Sequence, residues 1–301
     1  MNKPELLFDY VGHLPECPTW DHDEQALYWT DILECEIHRF QLHSGEHKVF
    51  SFKEEPGCFA LRENGGFIVA LRSGIWLTDA QGQLETKIGD NPNNPALARF
   101  NDGGVDPVGR FWAGDPVGRF WAGTYWGPRD YNGALLCRVD NDLHMQVMQC
   151  DILGANGLAF SPDSRWMYTS DTPNHVIYRT PLNTQGEPGL RQVWKTFPCG
   201  NGRPDGAAMD SEGCYWSALF DGWRIARFSP QGEILEEYAL PVRCPTMVCF
   251  GGPEMKTLFI TTTRENMTTQ ECAAYPLSGA IFTLNVAVAG MHKPKFKEIT
   301  Q

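Results

Sequence analysis

The sequence pattern that decides the fold lies within residues 155–179: Ala155-Asn-Gly-Leu-Ala-Phe160, Ser161-Pro-Asp-Ser164, Trp166-Met-Tyr-Thr-Ser170 and His175-Val-Ile-Tyr-Arg179. Short apolar or aromatic segments alternate here with turns that contain Pro, Asp or Asn. Segments rich in β-branched and aromatic residues are typical of strands, and Pro, Asp and Asn favour the tight turns between them. The stretch therefore predicts consecutive short β-strands.

The same pattern continues along the rest of the chain, with turns such as Glu63-Asn-Gly-Gly66 and Ser229-Pro-Gln-Gly232. No long segment keeps the period and the capping residues of a helix, so the sequence predicts an all-β protein. Strands are predicted at Ala26–Asp31, Glu36–Leu42, Phe67–Leu71, Trp166–Ser170, His175–Arg179, Trp223–Phe228 and Leu258–Thr263.

A larger repeat appears when the strands are grouped with their turns. Each unit is roughly 40–50 residues long, which is the usual length of a four-stranded propeller blade. We therefore predict a six-bladed β-propeller with four-stranded blades, formed by residues 1–301 as a single domain. An irregular β-sandwich is the alternative. The six units begin near Pro15, Pro56, Ala98, Ala155, Pro204 and Pro245.

One further strand, Glu5–Val11, precedes the first unit. A propeller ring closes when a strand from one end of the chain completes the blade at the other end. We expect this segment to complete the last blade, which would leave no sheet edge exposed.

A tandem duplication interrupts the third unit: Asp106-Pro-Val-Gly-Arg-Phe-Trp-Ala-Gly114 is followed by an identical Asp115–Gly123. One copy is enough to continue the blade. The other is expected to bulge out, to form an added hairpin around Asp115-Pro-Val-Gly118, or to displace native strands. Its apolar residues cannot all be buried in an unchanged blade, so we expect lower stability or a tendency to aggregate.

Composition excludes several classes of function. The net charge of -12 argues against a nucleic-acid partner, which requires clustered Lys and Arg. The start of the chain lacks the features of a secretory signal, and no apolar run is long enough to span a bilayer, so we expect a cytoplasmic protein with no membrane partner. The ten cysteines are dispersed without a C-x-x-C pair and are expected to be reduced thiols.

Familiar catalytic motifs are absent: the sequence has no G-x-S-x-G, Walker, G-x-G-x-x-G or H-E-x-x-H pattern, and its eight histidines are dispersed. Instead, oxygen-bearing residues occur near the start of four units and share a repeat phase. In a propeller this phase directs side chains toward the mouth of the central channel, where they can hold a hard cation. Taken singly, each is more often a turn residue, and the shared phase is what favours a common site. The four residues are Glu16, Asn101, Asn156 and Asp205.

These residues lie in stretches that resemble the SMP-30/gluconolactonase/LRE family, which includes regucalcin and bacterial sugar lactonases. The most specific stretches are Arg99-Phe-Asn-Asp-Gly-Gly-Val, Asn156-Gly-Leu-Ala-Phe-Ser-Pro-Asp, Tyr168-Thr-Ser-Asp-Thr and Arg203-Pro-Asp-Gly-Ala-Ala-Met-Asp-Ser-Glu-Gly. The match covers nearly the whole chain, and it implies a six-bladed propeller.

The resemblance also implies a site. One divalent ion, which is calcium, zinc, magnesium, manganese or iron depending on the family member, would be held by Glu16, Asn156 and Asp205. Arg99 and Asn101 would contact the substrate. The Gly123-Thr-Tyr-Trp-Gly127 segment resembles a substrate-contact region, which adds Tyr125.

The chain departs from the family pattern in three places. Cys17 stands where the family commonly has Gly, and we expect its thiol to pack rather than to coordinate the ion. An acidic substrate contact that follows Gly-Thr in some relatives is missing, so substrate preference is expected to differ. The duplication precedes Tyr125 and Trp126, which would be misplaced if the blade shifts.

The resulting interpretation is a metal-dependent hydrolase that opens a sugar lactone to the aldonic acid, as a monomer or small homo-oligomer. The ion would polarise the lactone carbonyl, and either Asp205 or the ion itself would activate the attacking water. Asp171 would be a carboxylate behind the site or simply a turn residue. Alternatives are a non-catalytic divalent-cation (calcium) binding protein, a protein-binding scaffold with Trp126 and Trp223 on its rim, and a propeller hydrolase acting on another ester.

Overall fold

The computed structural model describes residues 3–106, 119–128 and 130–298. Within these ranges, 24 strands form six four-stranded antiparallel sheets, and helix is limited to a single turn of 3-10 helix at Thr172–Asn174 and to α1 (Thr269–Ala274). The predicted six-bladed β-propeller is therefore confirmed, and the β-sandwich alternative is wrong. No helix in the described ranges is long and apolar enough to cross a membrane.

Each blade consists of four strands that follow one another along the chain, with the first strand innermost. In blade 1 they are β2 (Pro15–Asp21), β3 (Ala26–Asp31), β4 (Glu36–Gln41) and β5 (His47–Ser51). Blade 2 contains β6 (Pro56–Leu61), β7 (Phe67–Leu71), β8 (Gly74–Thr78) and β9 (Leu84–Asp90). Blade 3 contains β10 (Ala98–Val105), β11 (Phe120–Trp126), β12 (Ala134–Val139) and β13 (Met145–Ile152).

The second half of the ring repeats this arrangement. Blade 4 contains β14 (Ala155–Phe160), β15 (Trp166–Asp171), β16 (Val176–Pro181) and β17 (Gln192–Thr196). Blade 5 contains β18 (Arg203–Met209), β19 (Tyr215–Phe220), β20 (Arg224–Phe228) and β21 (Ile234–Ala239). Blade 6 contains β22 (Pro245–Gly251), β23 (Thr257–Thr262), β24 (Ile281–Asn285) and, as its outer strand, β1 (Glu5–Leu6).

The N-terminal strand closes the ring, as the sequence predicts. Glu5 pairs with Thr283 and Leu6 with Phe282, so β1 forms the outer edge of blade 6. The strand is shorter than the predicted segment, and one more backbone hydrogen bond, from the Leu7 amide to the Ile281 carbonyl oxygen at 2.9 Å, continues the pairing. Strands from both ends of the chain thus share one sheet.

Every innermost strand carries a register shift against its neighbour, which marks a β-bulge. Bulges bend a strand and redirect its side chains, and they are common next to active sites. Here they lie near the start of each strand, at the same end of the channel. The shifts occur between Glu16 and Thr19, Pro56 and Cys58, Phe100 and Gly103, Asn156 and Ala159, Pro204 and Ala207, and Pro245 and Met247.

Aromatic side chains pack between neighbouring blades. Trp20 of blade 1 stacks on Phe259 of blade 6, with ring centroids 5.4 Å apart, and Trp216 of blade 5 meets Phe250 edge to face at 5.6 Å. Such pairs each add about 0.5–1.5 kcal/mol to the stabilisation that comes from burying their surface. Blade-to-blade packing of this kind holds the ring rigid around the channel.

The C-terminal segment crosses the end of the channel away from the bulges. The Met291 amide donates to the Met209 carbonyl oxygen at 3.1 Å, and the fully buried Phe296 donates its amide to the Leu61 carbonyl oxygen at 2.7 Å. Met209 and Leu61 are the last residues of two innermost strands. The C-terminal segment is therefore anchored across this end of the channel.

The second copy of the duplicated segment forms β11. Phe120 pairs with Val105, and the Asp106 amide donates to the Arg119 carbonyl oxygen at 3.0 Å. Blade 3 is thus complete with a single copy, as expected. Residues 107–118, including the hairpin predicted around Asp115–Gly118, lie outside the described residues.

All ten cysteines are free thiols, as expected from their spacing. Six of them are buried, and only Cys150 and Cys199 are exposed. Burial in apolar surroundings disfavours the thiolate and raises the pKa of Cys17, Cys137 and Cys249 to about 12. These thiols are packing groups.

Closure by the N-terminal segment gives the first testable prediction. In Leu7→Pro the donor to the buried Ile281 carbonyl is lost, whereas Leu7→Ala keeps that hydrogen bond and loses only side-chain contacts. We expect the Pro variant to be less stable than the Ala variant by about 1–3 kcal/mol in urea denaturation. Equal stabilities would show that this pairing does not hold the ring closed.

Candidate metal and substrate site

A cavity of about 280 Å³ opens where the innermost strands begin. Its wall is built from blades 1, 3, 4, 5 and 6, so residues far apart in sequence meet there. All six predicted site residues line it: Glu16, Arg99, Asn101, Tyr125, Asn156 and Asp205. The remaining lining residues are Leu14, Thr172, Pro173, Arg203, Phe220, Asp221, Arg243, Thr246, Glu265 and Asn266.

Glu16 lies at the start of β2, beside the bulge, and is buried. One carboxylate oxygen accepts a hydrogen bond from the Cys17 amide at 3.1 Å. The chain that leads into β2 is fixed by the buried Asp31 carboxylate, which accepts from the amides of His13 at 2.7 Å and Leu14 at 2.9 Å. Local backbone contacts therefore fix the position of the Glu16 carboxylate.

Asn156 occupies the corresponding position in blade 4, and a buried carboxylate again fixes the backbone that leads to it. The Asp171 carboxylate accepts from the amides of Leu153 at 3.0 Å and Gly154 at 3.1 Å, directly before β14. Asp171 is fully buried and does not line the cavity. Of the two roles considered for Asp171, the structure favours that of a turn carboxylate, which anchors the backbone leading to Asn156.

Asp205 lies in the bulge of β18 and is connected to Asn156 through Thr172. The Asn156 amide nitrogen donates to the Thr172 hydroxyl oxygen at 2.6 Å, and that hydroxyl donates to Asp205 Oδ1 at 3.2 Å. The Ser170 hydroxyl donates to the Asp205 carbonyl oxygen at 2.9 Å. Blades 4 and 5 therefore present one amide and one carboxylate side by side.

Arg99 and Asn101 come from β10 in blade 3, next to Asn156 of blade 4. Arg99 NH1 donates to the Phe100 carbonyl oxygen at 2.9 Å and to Asn101 Oδ1 at 2.5 Å, while the Asn101 amide group donates to Asn156 Oδ1. Arg99 pairs with Tyr125 across β10 and β11, and its guanidinium lies 5.9 Å from the Tyr125 ring. The duplication therefore does not remove Tyr125 from the cavity.

The two carboxylates share an unfavourable electrostatic environment. Burial, followed by the nearby negative charges of Asp205 and Asp102, raises the pKa of Glu16 well above its usual range. Burial and the charge of Asp102 raise the pKa of Asp205 to about 8. Within the described residues no Lys, Arg or His side chain forms an ion pair with either carboxylate. Both would be charged only at a considerable free-energy cost.

This environment fits a cation. A divalent ion would compensate both buried charges, and the available donors are carboxylate and amide oxygens, which suit calcium, magnesium or manganese better than soft metals. No cluster of three or more His, Cys, Asp and Glu side chains suitable for a metal occurs in the described ranges. The predicted set of Glu16, Asn156 and Asp205 contains two carboxylates and one amide.

Cys17 packs away from the cavity. Its backbone φ of 49° lies in the left-handed region, which explains why glycine suits this position. The buried thiol points toward the carbonyl oxygens of Phe59 at 3.6 Å and Gly103 at 3.9 Å. The expectation that Cys17 is a packing residue agrees with this placement.

Several residues of the cavity were not predicted from the sequence. Thr172 and Arg203 lie within or beside the quoted motifs, so their proximity to Asn156 and Asp205 was a usable signal. Arg243, Asp221 and Glu265 come from loops of blades 5 and 6 that carry no recognisable motif, and nothing in the sequence indicates them.

The alternative of a protein-binding scaffold rests on two tryptophans at the rim, Trp223 and Trp126. Trp223 is half-buried and packs edge to face on Tyr275, with ring centroids 4.9 Å apart, so its ring is not freely available to bind a partner protein. The side chain of Trp126 lies outside the described residues.

Comparison with known proteins identifies the family of this chain. Residues 14–264 match the family described as SMP-30/Gluconolactonase/LRE-like region. The chain is 55% identical to a 6-deoxy-6-sulfogluconolactonase of Pseudomonas putida, over 94% of each chain. It is 28% identical to a pentonolactonase of Haloferax volcanii, over 97% of this chain and 96% of that protein. A crystal structure of the calcium-binding protein regucalcin from Agrobacterium tumefaciens superposes with a TM-score of 0.90 at 26% identity, over 98% of each chain.

A glycine substitution tests the packing of the site. Gly157 has φ +62°, and a Cβ there would lie 2.3 Å from the Tyr215 hydroxyl and 2.8 Å from the Asp205 carbonyl oxygen. Gly45 has a similar φ of +71° with open space around it. We expect Gly45→Ala to cost roughly 1–2 kcal/mol of unfolding free energy, and Gly157→Ala to cost more and to weaken Mn²⁺ binding. Equal costs and unchanged Mn²⁺ affinity would contradict the close packing.

The raised pKa values predict how stability depends on pH. The folded, metal-free protein holds protons on Glu16 and Asp205 that the unfolded chain has released. Its free energy of unfolding therefore falls as pH rises from about 4, the ordinary carboxyl pKa, to about 8. We expect Asp205→Asn to reduce this fall and saturating Mn²⁺ to oppose it, as measured by urea denaturation with EDTA or Mn²⁺. Equal stability of the metal-free protein at pH 5 and pH 8 would contradict the assignment.

Proposed function

The chain belongs to the SMP-30/gluconolactonase/LRE-like family, and from this premise we propose that it is a metal-dependent hydrolase that opens a sugar lactone to the corresponding aldonic acid. The observation that carries the proposal is the cavity itself. Two buried carboxylates that form no ion pair among the described residues share one cavity with an arginine, an asparagine and a tyrosine, in a space suited to a monosaccharide.

The relatives support a lactone as the substrate. The Pseudomonas putida and Haloferax volcanii proteins are both named as lactonases, for a sulfonated gluconolactone and for a pentonolactone respectively. Their names differ in the sugar but agree in the reaction. An aldonolactone is therefore the substrate class that we propose for this chain.

The ion would be held by Glu16, Asn156 and Asp205, with the regucalcin neighbour, described as calcium-binding, supporting a divalent cation. When bound, such an ion would withdraw electron density from the lactone carbonyl and stabilise the negative charge that develops on its oxygen. The oxygen-only donor set favours calcium, magnesium or manganese.

The protein's own residues would then position the reactants. Asp205 would accept a proton from the attacking water as its oxygen bonds to the carbonyl carbon. The bond between that carbon and the ring oxygen then breaks, and the proton passes to the ring oxygen, which becomes a hydroxyl group. Arg99 and Asn101 would hold sugar hydroxyls on the blade 3 side of the cavity, with the Tyr125 ring beside Arg99.

A purely cation-binding protein is the alternative, and the cavity argues against it. Arg99 carries a positive charge, and its side chain is oriented by Asn101 at 2.5 Å. Arg99 is half-buried at the cavity wall and offers hydrogen-bond donors to a polar substrate, which a set of cation ligands does not need. Arg99 therefore favours turnover of a small molecule over storage of the ion.

Hydrolysis of a panel of aldonolactones by metal-free protein, with each divalent cation added back, tests the proposal. Acid release followed with a pH indicator is expected to depend on the cation. We expect Glu16→Gln and Asp205→Asn to lower kcat/KM by about 10²-fold or more, because each removes an ion ligand and Asp205 also removes the base. Glu254→Gln, at an exposed carboxylate outside the cavity, serves as the control.

Two results would overturn this function. Turnover at the wild-type rate in folded Glu16→Gln and Asp205→Asn would show that these residues do not carry the reaction. Tight cation binding without hydrolysis of any lactone would identify a cation-binding protein instead.

A further inference from the structure

Two arginines of the cavity wall have no role in the reaction described above. Arg203 begins β18, and Arg243 precedes β22, so the pair spans blades 5 and 6. Both lie beside one carboxylate: Arg203 NH2 is 2.7 Å from Asp221 Oδ2, and Arg243 Nε is 3.3 Å from Asp221 Oδ1. A single acidic side chain thus holds two guanidinium groups at the same wall.

Most hydrogen-bond donors of these two arginines remain available. A guanidinium group carries five N–H donors. Arg203 donates a hydrogen bond to Asp221, and Arg243 donates one to Glu271 at 3.1 Å and also interacts with the side chains of Cys244 and Asp221. Arg243 Nε, 3.3 Å from Asp221 Oδ1, is buried and makes no hydrogen bond of good geometry with any described residue. Buried donors of this kind are costly unless a ligand or solvent satisfies them.

The pair is also held in place before any ligand binds. The Arg203 guanidinium lies 4.7 Å from the centre of the Phe220 ring, and the two residues pair across β18 and β19. Glu271, which holds Arg243, is fixed by the capping box that starts α1 with Thr268. Little conformational entropy would be lost when this pair binds an anion.

The other charges of the cavity are accounted for separately. Glu16 and Asp205 form the proposed ion site, and Glu265 is the main carboxylate that stabilises the charged form of Arg99. Asp221 is the cavity carboxylate that pairs with the two remaining guanidinium groups, and the charge of Arg203 also partly offsets the raised pKa of Asp205. Paired arginines recognise oxyanions with several parallel hydrogen bonds, so this wall suits a group with more than one charged oxygen.

We infer that Arg203 and Arg243 form an anion subsite that binds a tetrahedral oxyanion, sulfonate or phosphate, on the sugar lactone at the end remote from the reacting carbonyl. The inference rests on the proposed lactonase function, because Arg203 lies two residues before Asp205 on the same strand and both side chains line one cavity. An anion bound at this wall would therefore lie close enough to the proposed base to belong to the same substrate molecule.

Three lactones test the subsite: gluconolactone and its derivatives with a sulfonate or a phosphate at carbon 6. We expect the wild-type protein to have a higher kcat/KM for at least one charged lactone than for gluconolactone. In Arg203→Met and Arg243→Met, the ratio of kcat/KM for the charged lactone to kcat/KM for gluconolactone should fall by about 10- to 100-fold, mainly because KM for the charged lactone rises. The two charged lactones distinguish sulfonate from phosphate as the group recognised.

Two controls separate the subsite from general damage. Arg203→Lys keeps the positive charge but loses the forked guanidinium geometry, so it should retain part of the kcat/KM ratio. Arg165 is 75% exposed and lies outside the cavity, so Arg165→Gln should leave the ratio unchanged. Hydrolysis of all three lactones with equal kcat/KM, or an unchanged ratio in both Met variants, would overturn the subsite while leaving the lactonase function intact.

A binding measurement covers the case in which no lactone is hydrolysed, which would count against the proposed function. Calorimetric titration with the ring-opened acids, gluconate and its sulfonated and phosphorylated derivatives, does not require turnover. The subsite predicts tighter binding of a derivative than of gluconate, and loss of that difference in Arg203→Met. Equal affinities in the wild-type protein would refute the subsite independently of catalysis.

Discussion

The site depends on the burial of two like charges, the carboxylates of Glu16 and Asp205, at one end of a channel. Neither has a cationic side-chain partner among the described residues, and Asp102 adds a third negative charge nearby. Such an arrangement is unfavourable for the folded protein on its own. A bound divalent ion would convert it into a favourable one, so the same constraint explains both the raised pKa values and the expected need for metal.

The folded protein tolerates the free-energy cost of burying these carboxylates because the ring is rigid. Bulges in all six innermost strands redirect side chains at the same end of the channel, and the buried carboxylates of Asp31 and Asp171 fix the backbone directly before Glu16 and Asn156. Aromatic packing between blades and the added strand β1 prevent the ring from relaxing around the charges. Stability therefore comes from the packing of the blades, while the cavity keeps groups that are unfavourable for the folded protein.

The sequence was sufficient to predict the fold and the residues that the innermost strands contribute to the cavity. Four sequence features made these predictions possible, and all of them are regular features of a blade. They are the repeat starting at residues such as Pro15 and Ala155, the early strand at Glu5, the shared phase of Glu16 and Asn156, and the motif around Asp205. The wall formed by Arg243 and Glu265 was not predictable, because loops that differ in length between blades follow no repeat. The bulges were also missed, since one extra residue leaves no clear mark in an apolar strand.

The most direct test of this account is a crystal structure of the protein grown with Mn²⁺, with the ion located by its anomalous scattering. The account predicts one bound ion in the cavity, coordinated by oxygen atoms of Glu16, Asn156 and Asp205. Well-ordered crystals with the ion bound elsewhere, or with these three side chains turned away from it, would contradict the central claim that the buried carboxylates form a cation site.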